Sequence, residues 1–415
     1  MPLFLTQFFG AFNDNLFKSA LVTLITYHLA DVYHINAQIT ITAAAGFFIL
    51  PFFLFSSLAG QIADKYEKSF LIRIIKLVEI ILMCLTAVAF ETMSLWPLVA
   101  LLFCMGMQST FFGPLKFSIL PQHLEGDELV AGNGLVSAAT NIAILTGTLC
   151  GGLMILSPLG RHYISAGIVS VAAAGYITSR FIPKAAAASP DLKIDPNLVR
   201  STWNIISYPI AHRNILCTII GISWFWFLGS VFLAQFPSYA KYIIGGNEQV
   251  STLFLVIFSV GVGAGATFCN KLLKGKVSGK YLPISLIGMS VFITVLYIFS
   301  STVSPSGVLI SAGEFLVMPK AAGIILTMFL ISAFGGIYSV PMYAMMQRMT
   351  PKQYMARVVA SLNISDSFGM VLAAVLTAIL LAAGFSISTI FLLMAGVNLL
   401  MLPMALKLSK VHYDD

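Results

Sequence analysis

Long apolar runs separated by short polar punctuation set the pattern of this chain. A helix crossing a hydrocarbon layer of roughly 30 Å needs about 20 mostly apolar residues. Runs of that length fall near 4–29, 38–59, 71–90, 95–113, 129–156, 163–182, 214–237, 250–269, 281–300, 320–340, 358–383 and 386–407. The pattern predicts an all-α membrane protein with twelve transmembrane helices. One polar connector, 183–213, is much longer than the other turns and divides the chain. It leaves an N-terminal six-helix bundle, 1–182, and a C-terminal six-helix bundle, 214–415, with the connector as a linker.

Composition agrees with lipid as the solvent. Of 415 residues, 58% are hydrophobic and only 9% charged, against about 25% charged in soluble domains. The net charge of +7 does not point to nucleic acid, because the basic residues form neither an aromatic-lined groove nor a recognition helix. They alternate by loop instead. Lys65, Lys68, Arg73 and Lys76 follow the second span, and Lys116 ends the fourth. The linker carries Lys184, Lys193, Arg200 and Arg213. Lys271, Lys274, Lys276 and Lys280 follow the eighth span, and Arg348, Lys352 and Arg357 the tenth. The opposite side holds Arg161, Lys241 and Lys320. Lys/Arg excess marks cytoplasmic loops, so both termini are expected in the cytoplasm. The first apolar run contains Asn13, Asp14, Asn15 and Lys18 and has no cleavage site, so it reads as a span and not as a signal peptide. Cys84, Cys104, Cys150, Cys217 and Cys269 lie in or beside apolar segments without paired spacing, and neither a disulfide framework nor a metal site is expected. No cofactor is expected either.

The halves echo each other. Pro114 and Pro341 lie near the ends of the fourth and tenth spans. The next spans carry Asn133 with Ser137 and Asn363 with Ser367. Matching features at matching places suggest parallel repeats.

Two groups of charges stand out. The loop Gly60-Gln61-Ile62-Ala63-Asp64-Lys65-Tyr66-Glu67-Lys68 resembles the G-x-x-x-D-K/R-x-G-R/K loop of the major facilitator superfamily. There the glycine permits close helix approach, and the aspartate can meet basic groups or the positive end of a neighbouring helix. The resemblance implies a conformational latch built from Gly60, Asp64, Lys65, Lys68 and Arg73, although Glu67 stands where the pattern prefers glycine. A solvated, topology-setting turn is the plainer alternative. The second group is in the first span, where Asp14 and Lys18 share a face with Gln7, Gly10 and Ala11. A charge at a bilayer centre costs about 2.5–3.5 kcal/mol on insertion scales, so that face must meet a partner or a wet cavity. The pair could neutralise itself and glue helices together, or anchor a polar headgroup.

Further polar stripes could converge with it: Asn133, Ser137, Thr140 and Asn141 on the fifth span, and Asn363, Asp366, Ser367 and Met370 on the eleventh. Lys116 lies just past Pro114, where a broken turn would free backbone groups. Glu79, with Arg73 and Lys76, is expected in an interfacial network beside the latch.

Several stretches together resemble the bacterial lysophospholipid transporter family of the major facilitator superfamily. They are Gln7 to Asn15, Gly60 to Lys65, Gly113 to Pro121, Ala143 to Gly147 and Val340 to Ala344. The resemblance implies a major facilitator fold in the bacterial inner membrane, with a substrate site near the midplane. It also implies movement of lysophosphatidylethanolamine-like lipids between leaflets by alternating access. The implied partners are lysophospholipid, membrane lipid and an acyl-carrier-protein-dependent acyltransferase. None of His28, His34, His123, His162, His212 and His412 has an aspartate five residues on, so only the transport module is expected and no enzyme. The resemblance assigns Asp14 and Lys116 to the headgroup's amine and phosphate. Lys18, Asn13, Asn15, Asn141, Asn363 and Asp366 are further binding candidates. Two alternatives stay open: a proton-coupled exporter of drugs or small solutes, with Asp14 or Asp366 protonated, and a scaffold for the acyltransferase.

Overall fold

The computed structural model describes residues 1–35, 37–125, 128–303 and 309–411. His412 and the last residues of the expected C-terminal bundle lie outside them. Regular structure among the described residues is helical. The principal helices are α1 (Pro2–Leu24), α2 (Ala37–Lys65), α3 (Lys68–Glu91), α4 (Leu95–Ser118), α5 (Leu129–Met154) and α6 (Gly160–Ser179). The linker contributes α7 (Leu198–Ala211). After it come α8 (Arg213–Ser238), α9 (Glu248–Leu273), α10 (Leu282–Ser301), α11 (Ala321–Met349), α12 (Met355–Ala382), α13 (Ile387–Leu399) and α14 (Leu402–Leu408).

Among the described residues, eight helices are long and apolar enough to cross a membrane: α2, α4, α5 and α8 to α12. The pair α13 and α14, bent by 41°, counts as a ninth. Pro403 in the first turn of α14 lacks the N–H that would continue the ladder, which accounts for the bend. Helices α1, α3 and α6 have 23, 24 and 20 residues, enough to span, but their polar residues keep them below the apolar standard. In α1 and α3 much of that polarity is buried, at Gln7, Asn13, Lys76 and Glu79. Pro114 does not break α4, which runs unbroken to Ser118, so Lys116 sits on a continuous helix.

The chain forms two compact units. The first comprises 1–124, 142–212 and 350–367; the second comprises 125–141, 213–349 and 368–415. The core of the first is built from Leu16, Phe17 and Leu21 of α1, Met83 and Phe90 of α3, Leu102 and Met105 of α4, and Ile164 and Ile168 of α6. Phe17 meets Phe90 edge-on at 5.6 Å. Helices α1 and α5 touch at backbone distance, because a Cβ at Gly147 or Gly151 would strike the carbonyl oxygens of Phe12 and Leu16. Such small-residue spacing is how helices pack where no water drives them together.

The second unit is centred on aromatic rings. Phe232 of α8 stacks on Phe391 of α13 at 4.3 Å, and Phe236 meets Phe258 of α9 edge-on at 5.4 Å. The polar ends of its tryptophans are bonded, as burial requires. Trp224 Nε1 donates to Asn398 Oδ1 at 2.8 Å, and Trp226 Nε1 to the Tyr343 hydroxyl at 3.0 Å. The aromatic run 224–227 therefore lies in the middle of α8. Asn133 and Gln347 exchange amide hydrogen bonds of 2.6 and 3.2 Å. The five cysteines are free.

Candidate functional site

The polar residues of α1, α3 and α4 meet inside the first unit. Glu79 is the hub. It accepts from Lys76 Nζ at 2.6 Å, Gln108 Nε2 at 3.0 Å and Asn13 Nδ2 at 3.4 Å. Asn13 also donates to the Ile168 carbonyl of α6 at 3.1 Å. Lys76 and Glu79 have side chains only 1% and 2% exposed. Their i, i+3 spacing places both on one face of α3, and the Lys76 ammonium lies 4.8 Å above the Phe112 ring. Burying either ion alone would be costly; together, with amides on the remaining oxygen positions, they form a satisfied pair. Lys76 is thus an interior residue and not a loop charge, and the network of Glu79 runs to α1 and α4.

Asp14 sits beside this hub. Ser109 Oγ is 2.8 Å from Asp14 Oδ2 and 3.2 Å from Gln108 Oε1. Its single proton goes to the carboxylate, the nearer and charged acceptor. Lys18, one turn along α1, lies within electrostatic reach of Asp14, and its ammonium sits over the Phe48 ring of α2 at 4.4 Å. Lys116 lies over Phe117 at 5.0 Å and within the electrostatic reach of Asp14, Asp366 and Lys76. Asp366 and Asn363 belong to the part of α12 that is in the first unit, so Asp14, Lys18, Lys116, Asn363 and Asp366 share one unit. The Asn363 amide nitrogen is buried without a hydrogen-bond partner among the described residues. Asn15 and Asn141 donate to carbonyls one turn back on their own helices, Ala11 at 2.7 Å and Ser137 at 2.9 Å. Asn141 belongs to the second unit.

The loop after α2 is a separate assembly of the first unit. Asp64 is fully buried and faces the start of α12. It accepts from the backbone N–H of Ala356 at 3.1 Å and of Arg357 at 3.3 Å, and from Arg357 Nε at 2.9 Å. A carboxylate at a helix N-terminus satisfies orphan donors and complements the dipole. Gly60 makes room for this contact, since a Cβ there would come within 2.7 Å of Ala360 Cβ. Lys68, also buried, senses Asp64 and Glu67 electrostatically, Lys65 lies over Tyr66 at 5.8 Å, and Arg73 reaches Ser69 at 3.4 Å.

Glu67, the departure from the family pattern, caps α3. It accepts from Ser69 N at 2.9 Å, Phe70 N at 2.7 Å and the Ser69 hydroxyl at 2.6 Å. It also accepts from Ala185 N of the linker at 2.8 Å. Partial burial pulls its carboxyl upward, but these hydrogen bonds outweigh that and hold it below the usual carboxylate range. The linker is strapped across the same region. Ala185 O accepts from Lys68 N, Ser189 N donates to Asp64 O at 2.8 Å, and Asp195 N donates to Gln61 Oε1 at 2.8 Å.

Sequence reasoning does not single out Arg357, Ser109, Gln108 or Gln61. Arg357 reads only as a loop charge, Ser109 and Gln108 are neutral residues in an apolar run, and Gln61 stands in the motif loop without a role of its own; the partners of all four are far away in sequence.

A family model described as Major Facilitator Superfamily matches residues 3–324. The chain belongs to the major facilitator superfamily. It is similar to the "Lysophospholipid transporter LplT" of Citrobacter koseri, 26% identical over 379 residues, covering 90% of this chain and 86% of that one. The protein of the same name from Pectobacterium carotovorum is 25% identical over 394 residues, covering 92% and 86%. Two solved structures share the fold at low identity. A bacterial homologue of the iron transporter ferroportin in its outward-facing state gives a TM-score of 0.70 at 12% identity, covering 99% of this chain and 100% of that one. A single-residue variant of the E. coli fucose:proton symporter gives 0.71 at 13%, covering 99% and 98%. This facilitator superfamily member is therefore a multi-pass membrane transporter.

Proposed function

We propose that this protein carries lysophospholipids of the lysophosphatidylethanolamine kind across the bacterial inner membrane by alternating access, with no chemistry of its own. Two six-helix halves, 1–182 and 214–415, would move about the linker 183–213, with both termini in the cytoplasm. The carried lipid would pass to an acyl-carrier-protein-dependent acyltransferase that restores the missing chain.

One observation carries the reading. Asp14 and Lys116 lie within electrostatic reach of each other in one unit, while the contacts described for them are with Ser109 and Phe117. Asp14 also feels Lys18 and Lys76, and Lys116 feels Asp366; in this reading each would trade such neighbours for an opposite charge on the cargo. A zwitterionic headgroup offers both, an ammonium for Asp14 and a phosphate for Lys116, which lysine binds as a point charge. Lys18, Asn363 and Asp366 are further polar contacts available in the same unit. Likeness to relatives named for lysophospholipid transport supports the choice of cargo.

The test is uptake and reacylation of labelled lysophosphatidylethanolamine in cells lacking their own transporter. Wild type should restore uptake, and Asp14→Ala and Lys116→Ala should each abolish most of it. Normal uptake by both variants would sink the site. Absence of uptake by wild type, together with drug resistance on expression, would favour the proton-coupled exporter instead.

A further inference from the structure

Helix α7 has three faces where an ordinary surface helix has two. Val199, Trp203, Ile206 and Ile210 recur at i, i+4, i+7 and i+11 and form one apolar stripe. Ser201, Ile205, Tyr208 and Pro209 form a second, and Arg200, Asn204, Ser207 and Ala211 a third. The second stripe packs on the protein. Ser201, Ile205 and Pro209 are buried, the Ser57 and Ser201 hydroxyls of α2 and α7 are 2.9 Å apart, and Ser361 of α12 donates to the Ile205 carbonyl at 3.1 Å. Tyr208 stacks on Tyr354 at 4.4 Å. The third stripe is polar and largely exposed. The apolar stripe is exposed at Val199 (83%), Trp203 (68%) and Ile210 (52%) and half-buried at Ile206.

We propose that α7 lies in the membrane–water boundary and sinks this apolar stripe into the lipid of the leaflet on the linker's side. Its placement gives the depth. Ser57 lies eight residues before the end of α2 at Lys65, and Ser361 six residues after the start of α12 at Met355. At 1.5 Å per residue, α7 therefore crosses both spans roughly 10 Å in from their ends. That is where an interfacial helix buries its apolar face, about 5–10 Å into the boundary between headgroups and acyl chains. Both helices it crosses are apolar enough to span, so lipid continues along their flanks. Arg200 and Arg213, near the two ends of α7, are exposed, Arg200 with a side chain 77% exposed whose Nε lies 3.7 Å from Asp195 Oδ2. They suit the phosphates of anionic lipid, while Trp203 supplies the amphipathic ring favoured at this level. The linker then acts as an in-plane strap held by lipid on one side and by α2 and α12 on the other. This assignment stands whatever the cargo is.

The test reads Trp203 emission, taken as wild type minus Trp203→Phe, in vesicles of phosphatidylethanolamine and phosphatidylglycerol that carry brominated acyl chains. Bromine high on the chain should cause a roughly twofold loss, bromine near the chain end less, and aqueous iodide little. Independently, emission added by Ile210→Trp should behave the same way, and emission added by Asn204→Trp should be quenched by iodide. Iodide quenching of Trp203 without bromine quenching would show a solvated stripe and overturn the proposal. Protection from both quenchers would place a protein on the stripe, a second copy or another chain, and would overturn it equally.

Discussion

Arg357 Nε donates to Asp64 Oδ2 at 2.9 Å, joining residues 293 apart in the chain. Asp64 is fully buried and Arg357 19% exposed. Removing the guanidinium leaves a desolvated carboxylate with only the two backbone donors of α12. Arg357→Ala should therefore destabilise by on the order of 3 kcal/mol. Arg357→Lys should recover only part, because a lysine cannot repeat the planar fork that also reaches the Gln353 carbonyl at 2.6 Å. Thermal midpoints in detergent check this. Equal midpoints for wild type and Arg357→Ala would mean the contact does not hold α12.

The Lys76–Glu79 pair makes a different kind of prediction. Lys76→Met strands an anion among apolar helices, and Glu79→Gln strands a cation. Each single change should cost about 3–5 kcal/mol, while the double change should cost much less than the sum, because no unpaired charge remains. In the double variant the new glutamine keeps one neutral acceptor oxygen for Asn13 or Gln108. A double-mutant cycle on thermal stability measures the coupling, and additive effects would contradict a satisfied buried pair.

Glu67 should make the linker strap sensitive to acid. Its carboxyl in the folded protein titrates below the ordinary value of 4.5. The stabilisation it gives is complete above that ordinary value and disappears as the pH falls through the folded-state value. Hydrogen-exchange protection of Ser69, Phe70 and Ala185, corrected for the intrinsic rate, should be unchanged from pH 7 to 5 and fall below about pH 4. Glu67→Gln should show weakened protection throughout and no acid step. An acid step of equal size in Glu67→Gln would assign the effect to another group.

The spans are legible in sequence because a 20-residue apolar run has few other uses. Asp14 and Lys18 are legible for the same reason in reverse, since charge inside such a run needs a partner. What escapes is pairing at long range. Lys76 looks like a loop charge because the apolar run begins only a few residues earlier. Nothing local announces that Asn13 and Gln108 approach Glu79 from two other helices. The motif around Asp64 points to its neighbours Lys65, Lys68 and Arg73, while the contact is made by Arg357, whose sequence position speaks only to the orientation of a loop. Helix α7 is hidden in the linker because its apolar residues serve two faces and its proline, Pro209, argues against a helix there.

Close approach of α1 and α5 gives a prediction from sterics alone. A side chain at Gly147 would press on the Phe12 carbonyl oxygen and lie 3.1 Å from Leu16 N. These are backbone atoms of a helix and cannot swing aside, so the helices must separate. Gly147→Val should lose the packing of α5 on α1 and reduce stability by on the order of 3 kcal/mol, in the manner of an overpacked core. Separation would also move Asn15, whose Cβ lies 3.2 Å from the same point, and with it Asp14, so any transport should fall together with stability. Gly46 of α2 is the matched control. A Cβ there meets nothing within 4 Å, and Gly46→Ala should be neutral or stabilise by up to about 1 kcal/mol through helix propensity. Thermal midpoints of the two variants decide it, and equal behaviour would refute the backbone contact.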